Sequence, residues 1–364
     1  MRVLVVDDTA VFRRAVSDAL AGLPGVEVVG TANNGRMALG RLAALRPDLM
    51  TLDIEMPEMN GIEVLEAMPA DSPVGVIVLS ALTVRGGEMT TRALDLGAFD
   101  FVTKPEGGSR DESLARLRNS LAPILRAFER RREIRSILGG KPGKPPQPRA
   151  VVRGEAATGT QACPVMPRRR GKPIVLIGVS TGGPSALAQV LPVLPARLAA
   201  PVFIVQHMPP LFTKALASTL QSKSTIRVKE AEDGEIAMEG CVYLAPGGRQ
   251  MELIAGPRGE IVVHLTDDPP ENNCRPSVDY LFRSAAQRFP GRAVAAILTG
   301  MGNDGARGLR DLKQTGCFSI AQDEASCVVF GMPKEAILTG AVDTVVPLHM
   351  IAATIVRCVG EAPA

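Results

Sequence analysis

At 364 residues the chain is too long for one ordinary hydrophobic core, so two domains are expected. Its 46% apolar and 22% charged residues, with a mean hydropathy of +0.13, exclude a disordered polymer and fit a soluble globular protein. Aromatic residues reach only 3% with no Trp, which argues against stacking platforms for single-stranded nucleic acid, and the net charge of +3 is local.

Residues 1–6 run straight into Asp7 and Asp8, which leaves no room for the apolar region of a signal peptide. From residue 2 to 105, short apolar runs alternate five times with helical patterns. The predicted strands are Val3–Val6, Val26–Gly30, Leu49–Ile54, Val74–Leu79 and Phe99–Val102. That alternation predicts a parallel sheet covered by helices on both faces, with its functional crevice beyond the carboxyl ends of the strands. Asp7 and Asp8 follow the first strand, Asp53 ends the third, Ser80 follows the fourth and Lys104-Pro105 follows the fifth. Asp7-Asp8 alone would serve equally as a helix N-cap. Three carboxylates at one crevice repel one another unless a cation compensates, and Mg²⁺ held with a phosphoryl oxygen answers that chemistry.

Leu4-Val-Val-Asp-Asp8, Leu52-Asp-Ile-Glu-Met-Pro57 with Asn60-Gly61, Leu79-Ser80 and Phe101-Val-Thr-Lys-Pro105 together resemble a response-regulator receiver domain over residues 1–122. The resemblance implies a flavodoxin-like fold and phosphorylation of Asp53 by a histidine kinase. It further implies Mg²⁺ on the side chains of Asp8 and Asp53, with Asp7 in support and Glu55 giving its backbone carbonyl. Ser80 and Lys104 match the hydroxyl and the lysine that contact the acyl phosphate, and Phe101 occupies the aromatic switch position.

Leu114 to Leu138 continues as a charged amphipathic helix, so residues 123–171 are expected to be a helix extension and linker. Within 139–171, seven Lys or Arg face one Glu among six Pro and six Gly, a composition that cannot offset its own chain entropy. Arg168-Arg169-Arg170 leaves a nucleic-acid arm open as an alternative. The flanking segments are nearly balanced, 17 basic against 19 acidic residues in 1–138 and 17 against 18 in 172–364.

The second domain is expected over 172–364. Pro173-Ile-Val-Leu-Ile-Gly-Val-Ser-Thr-Gly-Gly-Pro184 is a buried strand ending in Gly178-x-Ser180-x-Gly182, the spacing of a nucleophile elbow. A glycine-rich turn also cradles phosphates, so Ser180 by itself leaves both chemistries open, although no GK[ST] follows. Its 24 uncharged residues, Pro173 to Ala196, match a membrane span in length, but Gly182, Gly183, Pro184, Pro192 and Pro195 interrupt them. Of three histidines, His264 sits in an alternating, exposed strand and His349 in a terminal helix. His207 ends the strand Val202–Gln206, beside Ser180 if the two strands are neighbours. A third apolar run, Ala293–Leu298, leads to Thr299-Gly-Met-Gly-Asn-Asp-Gly305, where Asp304 either orients the imidazole or caps a helix starting near Ala306. The six Cys contain no CxxC pair, and reduced thiols in a cytoplasmic protein are expected.

The order Ser…His…Asp differs from that of the α/β-hydrolases and argues against a lipase or esterase of that kind. Ile177-Gly-Val-Ser-Thr-Gly-Gly-Pro184, Val205-Gln-His-Met-Pro209, Tyr243-Leu-Ala-Pro-Gly-Gly248, Arg275-Pro-Ser-Val-Asp279, Leu298-Thr-Gly-Met-Gly-Asn-Asp-Gly305 and Gln322-Asp-Glu with Gly331-Met-Pro333 instead resemble the catalytic domain of the chemotaxis protein-glutamate methylesterase (CheB) family. The resemblance implies a second Rossmann-like α/β domain that hydrolyses glutamate methyl esters and deamidates glutamines on chemoreceptors, under control of the receiver. It makes Ser180 the nucleophile, His207 the base and acid, and Asp304 the orienting carboxylate. Thr181 and the backbone at Met301 would support the oxyanion, and no cofactor is expected in this domain. Two other readings differ in kind. A binding-only second domain is disfavoured by the intact Ser180, His207 and Asp304, and a DNA-binding regulator by the slightly acidic 172–364. No membrane insertion is expected.

Overall fold

The five apolar runs of the first hundred residues become five parallel strands. The computed structural model describes residues 1–69, 72–137 and 171–360, which fall into two compact units, 1–137 and 171–360. The expected Pro- and Gly-rich linker lies outside the described residues. In the first unit the order is β1 (Arg2–Val6), α1 (Ala10–Ala21), β2 (Glu27–Ala32), α2 (Gly35–Leu45) and β3 (Leu49–Asp53). Next come α3 (Gly61–Ala67), β4 (Gly75–Ser80), α4 (Val84–Asp95), β5 (Asp100–Thr103) and α5 (Arg110–Ile137). The sheet order is β2-β1-β3-β4-β5, parallel throughout. All of β3, and β1 from Val3 on, is buried, because helices cover both faces.

α5 runs on through residue 122, as the helical pattern from Leu114 to Leu138 leads one to expect. Leu117, Leu121, Ile124, Leu125 and Phe128 are all buried, at spacings that share one helical face. Phe128 meets Phe99 edge-on at 5.2 Å, and Arg132 pairs with Asp48 at 2.9 Å. The packing of the first unit therefore runs past the boundary expected from sequence.

The second unit holds β6 (Ile174–Val179), α6 (Gly183–Val190), β7 (Val202–Gln206), α7 (Phe212–Lys223), β8 (Arg227–Glu230) and β9 (Cys241–Leu244). It continues with β10 (Gln250–Ala255), β11 (Ile261–Thr266), α8 (Val278–Arg288), β12 (Ala293–Ile297) and α9 (Ala306–Gln314). β13 (Phe318–Gln322), α10 (Met332–Leu338), β14 (Thr344–Val346) and α11 (Leu348–Val359) complete it. Seven parallel strands run in the order β14-β13-β12-β6-β7-β9-β8. β6, β7, β12 and β13 are buried along their whole length. Each fully buried Val, Leu or Ile there contributes roughly 1.5–3 kcal/mol.

β10 and β11 form a separate antiparallel hairpin. The strand carrying His264 is only half exposed. Ile261, Val263 and Leu265 turn inward with Met251 and Leu253 to join the core that α8 completes. Among the described residues, no helix is long and apolar enough to cross a membrane.

Candidate active site and acid crevice

In the first sheet the strand order reverses between β1 and β3, and the crevice at such a point is where α/β sheets place their ligands. Asp7 there is fully buried and Asp53 is 3% exposed. Lys104, just past β5, reaches both, with Nζ 2.8 Å from Asp7 Oδ2 and 2.7 Å from Asp53 Oδ2. Burial pushes the Asp53 carboxyl up to about 6; Lys104 opposes that rise and the Asp7 charge adds to it. Carboxylate oxygens of Asp7, Asp8 and Asp53 lie within 4.8 Å of one another. Three acids against one lysine leave an excess of negative charge that fits a hard divalent cation.

A cavity of about 170 Å³ opens beside them, lined by Asp8, Asp53, Glu55, Ser80 and Lys104 among others. A water takes about 30 Å³, so the space suits a phosphoryl group and a partly hydrated ion. Ser80 Oγ points its proton at Gly86 O, 3.2 Å away. Glu55 gives a long N–H bond of 3.4 Å to Asp53 Oδ1, and its carboxylate faces Arg85 at 3.6 Å. Phe101 is half-buried against the core. Asn60-Gly61 closes the strand end: the Asn60 side chain caps α3, and a Cβ on Gly61 would sit 2.4 Å from Asp53 O.

The second sheet reverses between β6 and β12. Ser180 follows β6 directly, and its neighbour β7 ends at Gln206, so the two loops meet. Gly182 takes φ +77, a left-handed turn that leads into α6. Gly300, on the loop after β12, packs so tightly that a Cβ there would lie 2.8 Å from Ser180 Cβ. Among the described residues, the backbone N–H groups of Thr181 and Met301 have no acceptor. Thr181 is buried, with its own carbonyl taking the Thr299 hydroxyl at 2.9 Å.

His207 Nε2 and Asp304 Oδ2 are 2.8 Å apart. Asp304 does not cap α9, whose N-cap is Gly305. Its carboxylate instead accepts the amides that begin α8, from Val278 at 2.7 Å and Asp279 at 3.1 Å, and the Ser277 hydroxyl at 2.8 Å. Burial alone would raise this acid, but the His207 contact and the α8 amides outweigh it and hold its pKa below the ordinary value. Burial likewise opposes a charge on His207, yet its contacts with Asp304 and Cys274 lift the ring to about 9. Ser180 Oγ makes no hydrogen bond to the ring among the described residues. Nδ1 faces Cys274 Sγ at 3.7 Å instead. His264 lies apart, paired with Asp233 at 3.0 Å.

Sequence reasoning missed four groups here. Asn272 Nδ2 bonds both Asp304 Oδ1 at 2.8 Å and Asp279 Oδ2 at 2.9 Å. Cys274 and Ser277 come from the same loop, and the Arg275-Pro-Ser-Val-Asp279 motif was the available signal. Gln206, 2% exposed, ties the two loops together: its Nε2 donates to Ser180 O at 3.0 Å and His207 O at 3.2 Å.

A receiver-like crevice followed by a hydrolase-like elbow places the chain among response regulators with an enzymatic output. Comparison with known proteins agrees. The response regulator receiver domain model matches residues 3–117 and the CheB methylesterase model residues 175–355. The protein-glutamate methylesterase/protein-glutamine glutaminase of Desulfotalea psychrophila is 49% identical over 364 residues, covering 99% of this chain and 98% of that protein. Its namesake from Paraburkholderia xenovorans is 44% identical over 348 residues, covering 96% and 93%. The crystal structure of the Thermotoga maritima CheB methylesterase catalytic domain is 45% identical with a TM-score of 0.51, covering 52% of this chain and 99% of that one. The chain belongs to the CheB methylesterase family, response regulators of two-component systems whose output is a methylesterase and glutaminase in chemotactic adaptation.

Proposed function

We propose that Ser180, His207 and Asp304 carry the hydrolysis, acting on glutamate methyl esters and glutamine amides in the cytoplasmic domain of chemoreceptors. The observation that carries this is the His207–Asp304 contact at the sheet's switch point, beside a serine on a glycine elbow. Asp304 holds Nε2, so the ring takes the Ser180 proton at Nδ1 as Oγ attacks the side-chain carbonyl. Nδ1 has to leave Cys274 to do so. The Thr181 and Met301 amides receive the oxyanion. His207 then protonates the departing methanol or ammonia, and a water repeats the sequence on the acyl-enzyme.

Asp53 is the phosphoacceptor for a histidine kinase. Receiver domains use Mg²⁺ for this reaction, and here Asp7, Asp8 and Asp53, with the Glu55 carbonyl, would hold it. The ion supplies positive charge against the incoming phosphoryl oxygens. Lys104 and Ser80 contact the acyl phosphate, and Phe101 reports it to the surface. Methanol release from methylated receptor by the full-length chain tests this control. A small acyl-phosphate donor is expected to raise the rate by roughly 5–150-fold, the range that a coupling of about 1–3 kcal/mol supports. Asp53→Asn should remove the stimulation; equal stimulation of that variant would disprove the assignment.

The pH profile tests the base. Only a neutral ring accepts a proton, and a pKa raised to about 9 leaves most rings charged at pH 7. kcat/KM is therefore expected to climb with pH and to level off only above about 9. A profile with no acid limb at all would take His207 out of the role of base.

A further inference from the structure

The nitrogen of His207 that must serve Ser180 already has a neighbour. Cys274 Sγ lies 3.7 Å from Nδ1 and 3.4 Å from Asn272 O. The thiol is held there by its backbone: Cys274 and Glu271 exchange two N–H bonds of 2.8 and 3.1 Å, and Gln250 Nε2 donates to Cys274 O at 3.2 Å. Its side chain is partly exposed, whereas Cys241 and Cys317 are buried. Cys327 is partly exposed as well, but burial and the charges of Asp323 and Glu324 drive its thiol upward and keep it protonated. Cys274, His207 and Asp304 thus form a thiol–imidazole–carboxylate row inside the hydrolase site.

The same three groups have donor atoms within 4.8 Å of one another, close enough to hold a soft metal ion. Asp304 and Cys274 engage opposite ring nitrogens, however, so one ion cannot take all three unless the ring turns. The row reads better as a thiol held against the ring nitrogen that serves as base.

We propose that Cys274 is an oxidation site that switches the hydrolase off, because a peroxide converting Sγ to a sulfenic acid leaves its S–OH against His207 Nδ1, where Ser180 must bind. The reacting form pairs the Cys274 thiolate with a proton on His207 Nδ1. Sγ then attacks one peroxide oxygen: the S–O bond forms, the O–O bond breaks and sulfur loses two electrons to the peroxide. The departing oxygen takes the Nδ1 proton and leaves as water, or as an alcohol from an organic peroxide. A small thiol reverses the step by forming a mixed disulfide with loss of water, which a second thiol then reduces.

The proposal rests on His207 being the base. That reading fails if His207→Ala turns over normally, whereas the proposal fails if modified Cys274 leaves turnover intact. The experiment treats full-length protein with hydrogen peroxide and follows methanol release, while dimedone trapping and peptide mapping count sulfenic acid at each cysteine. At least about a ten-fold loss of rate is expected, tracking label on Cys274 and regained with dithiothreitol before trapping. Cys274→Ala and Cys274→Ser should each keep most of their own untreated rate under the same exposure. Rate loss that tracks label at another cysteine, full Cys274 label without rate loss, or equal sensitivity of both variants would overturn the proposal. The wild-type labelling decides even where a variant folds poorly.

Discussion

Ser180→Ala is expected to lower methanol release by about 10⁴–10⁶-fold, because the other members of such a set cannot replace its nucleophile. The fold should survive. Among the described residues Ser180 Oγ makes no hydrogen bond, so alanine forfeits none, and it keeps the Cβ against which Gly300 packs. The bonds that fix this position belong to the backbone, to Thr299 O and Gln206 Nε2, and they are indifferent to the side chain. Unchanged thermal unfolding beside lost turnover is the expected pair of results. A variant keeping more than about a tenth of the wild-type rate would remove Ser180 from the chemistry.

Phosphoryl uptake by Asp53 is expected to be all-or-none in two respects, absent without a divalent cation and absent in Asp53→Asn. Asp7 and Asp53 are both buried, with carboxylate oxygens within 4.8 Å. Two unit charges at that separation repel by about 3.5 kcal/mol at an effective dielectric constant near 20. Lys104 offsets part of this, but it is one cation shared between two acids. An incoming phosphoryl group adds more negative charge to the same crevice. Labelled phosphate from a small acyl-phosphate donor, counted with and without excess chelator, gives the answer. Incorporation that proceeds unchanged in chelator would dismiss the cation site, and label that survives in Asp53→Asn would dismiss the residue.

Much of this architecture is legible in the sequence because parallel strands buried on both faces read as unbroken apolar runs. β3, β6, β7 and β12 are of that kind, and the residues at the carboxyl end of each run mark the crevice. Position therefore puts Asp7, Asp53, Ser180 and His207 at the crevices, while their roles come from the family resemblance. α5 reads as a charged amphipathic helix from Leu114 to Leu138, but Pro123 and its many charges hide how its buried face, Leu121, Ile124, Leu125 and Phe128, carries the first unit's packing past residue 122. The hairpin of β10 and β11 hides one buried face behind polar alternation, so half of it passed for surface. Asn272, Cys274 and Ser277 were harder for another reason, with only the Arg275-Pro-Ser-Val-Asp279 motif to mark their loop. They lie on an irregular loop with no period, and they meet Asp304 across 27 to 32 residues of chain, or His207 across 67. Only tertiary packing brings such groups together.

The anchorage of Asp304 has a consequence for how this chain can change. Its Oδ2 takes His207 and the Val278 amide, while Oδ1 takes Asn272, Ser277 and the amides of Asp279 and Gly305. Apart from the imidazole, the serine hydroxyl and the Asn272 amide, every group turned towards the carboxylate is a backbone N–H that can only donate. Asparagine has the same shape but must turn one NH₂ towards donors, whichever way the amide lies. The position is thus locked to an acceptor on both sides, and losing it would strand the first amides of α8 as well as the imidazole. Ser180 is the opposite case, a side chain that the scaffold does not use. A lineage drifting away from catalysis could discard the serine silently, yet would go on carrying the aspartate as part of its framework.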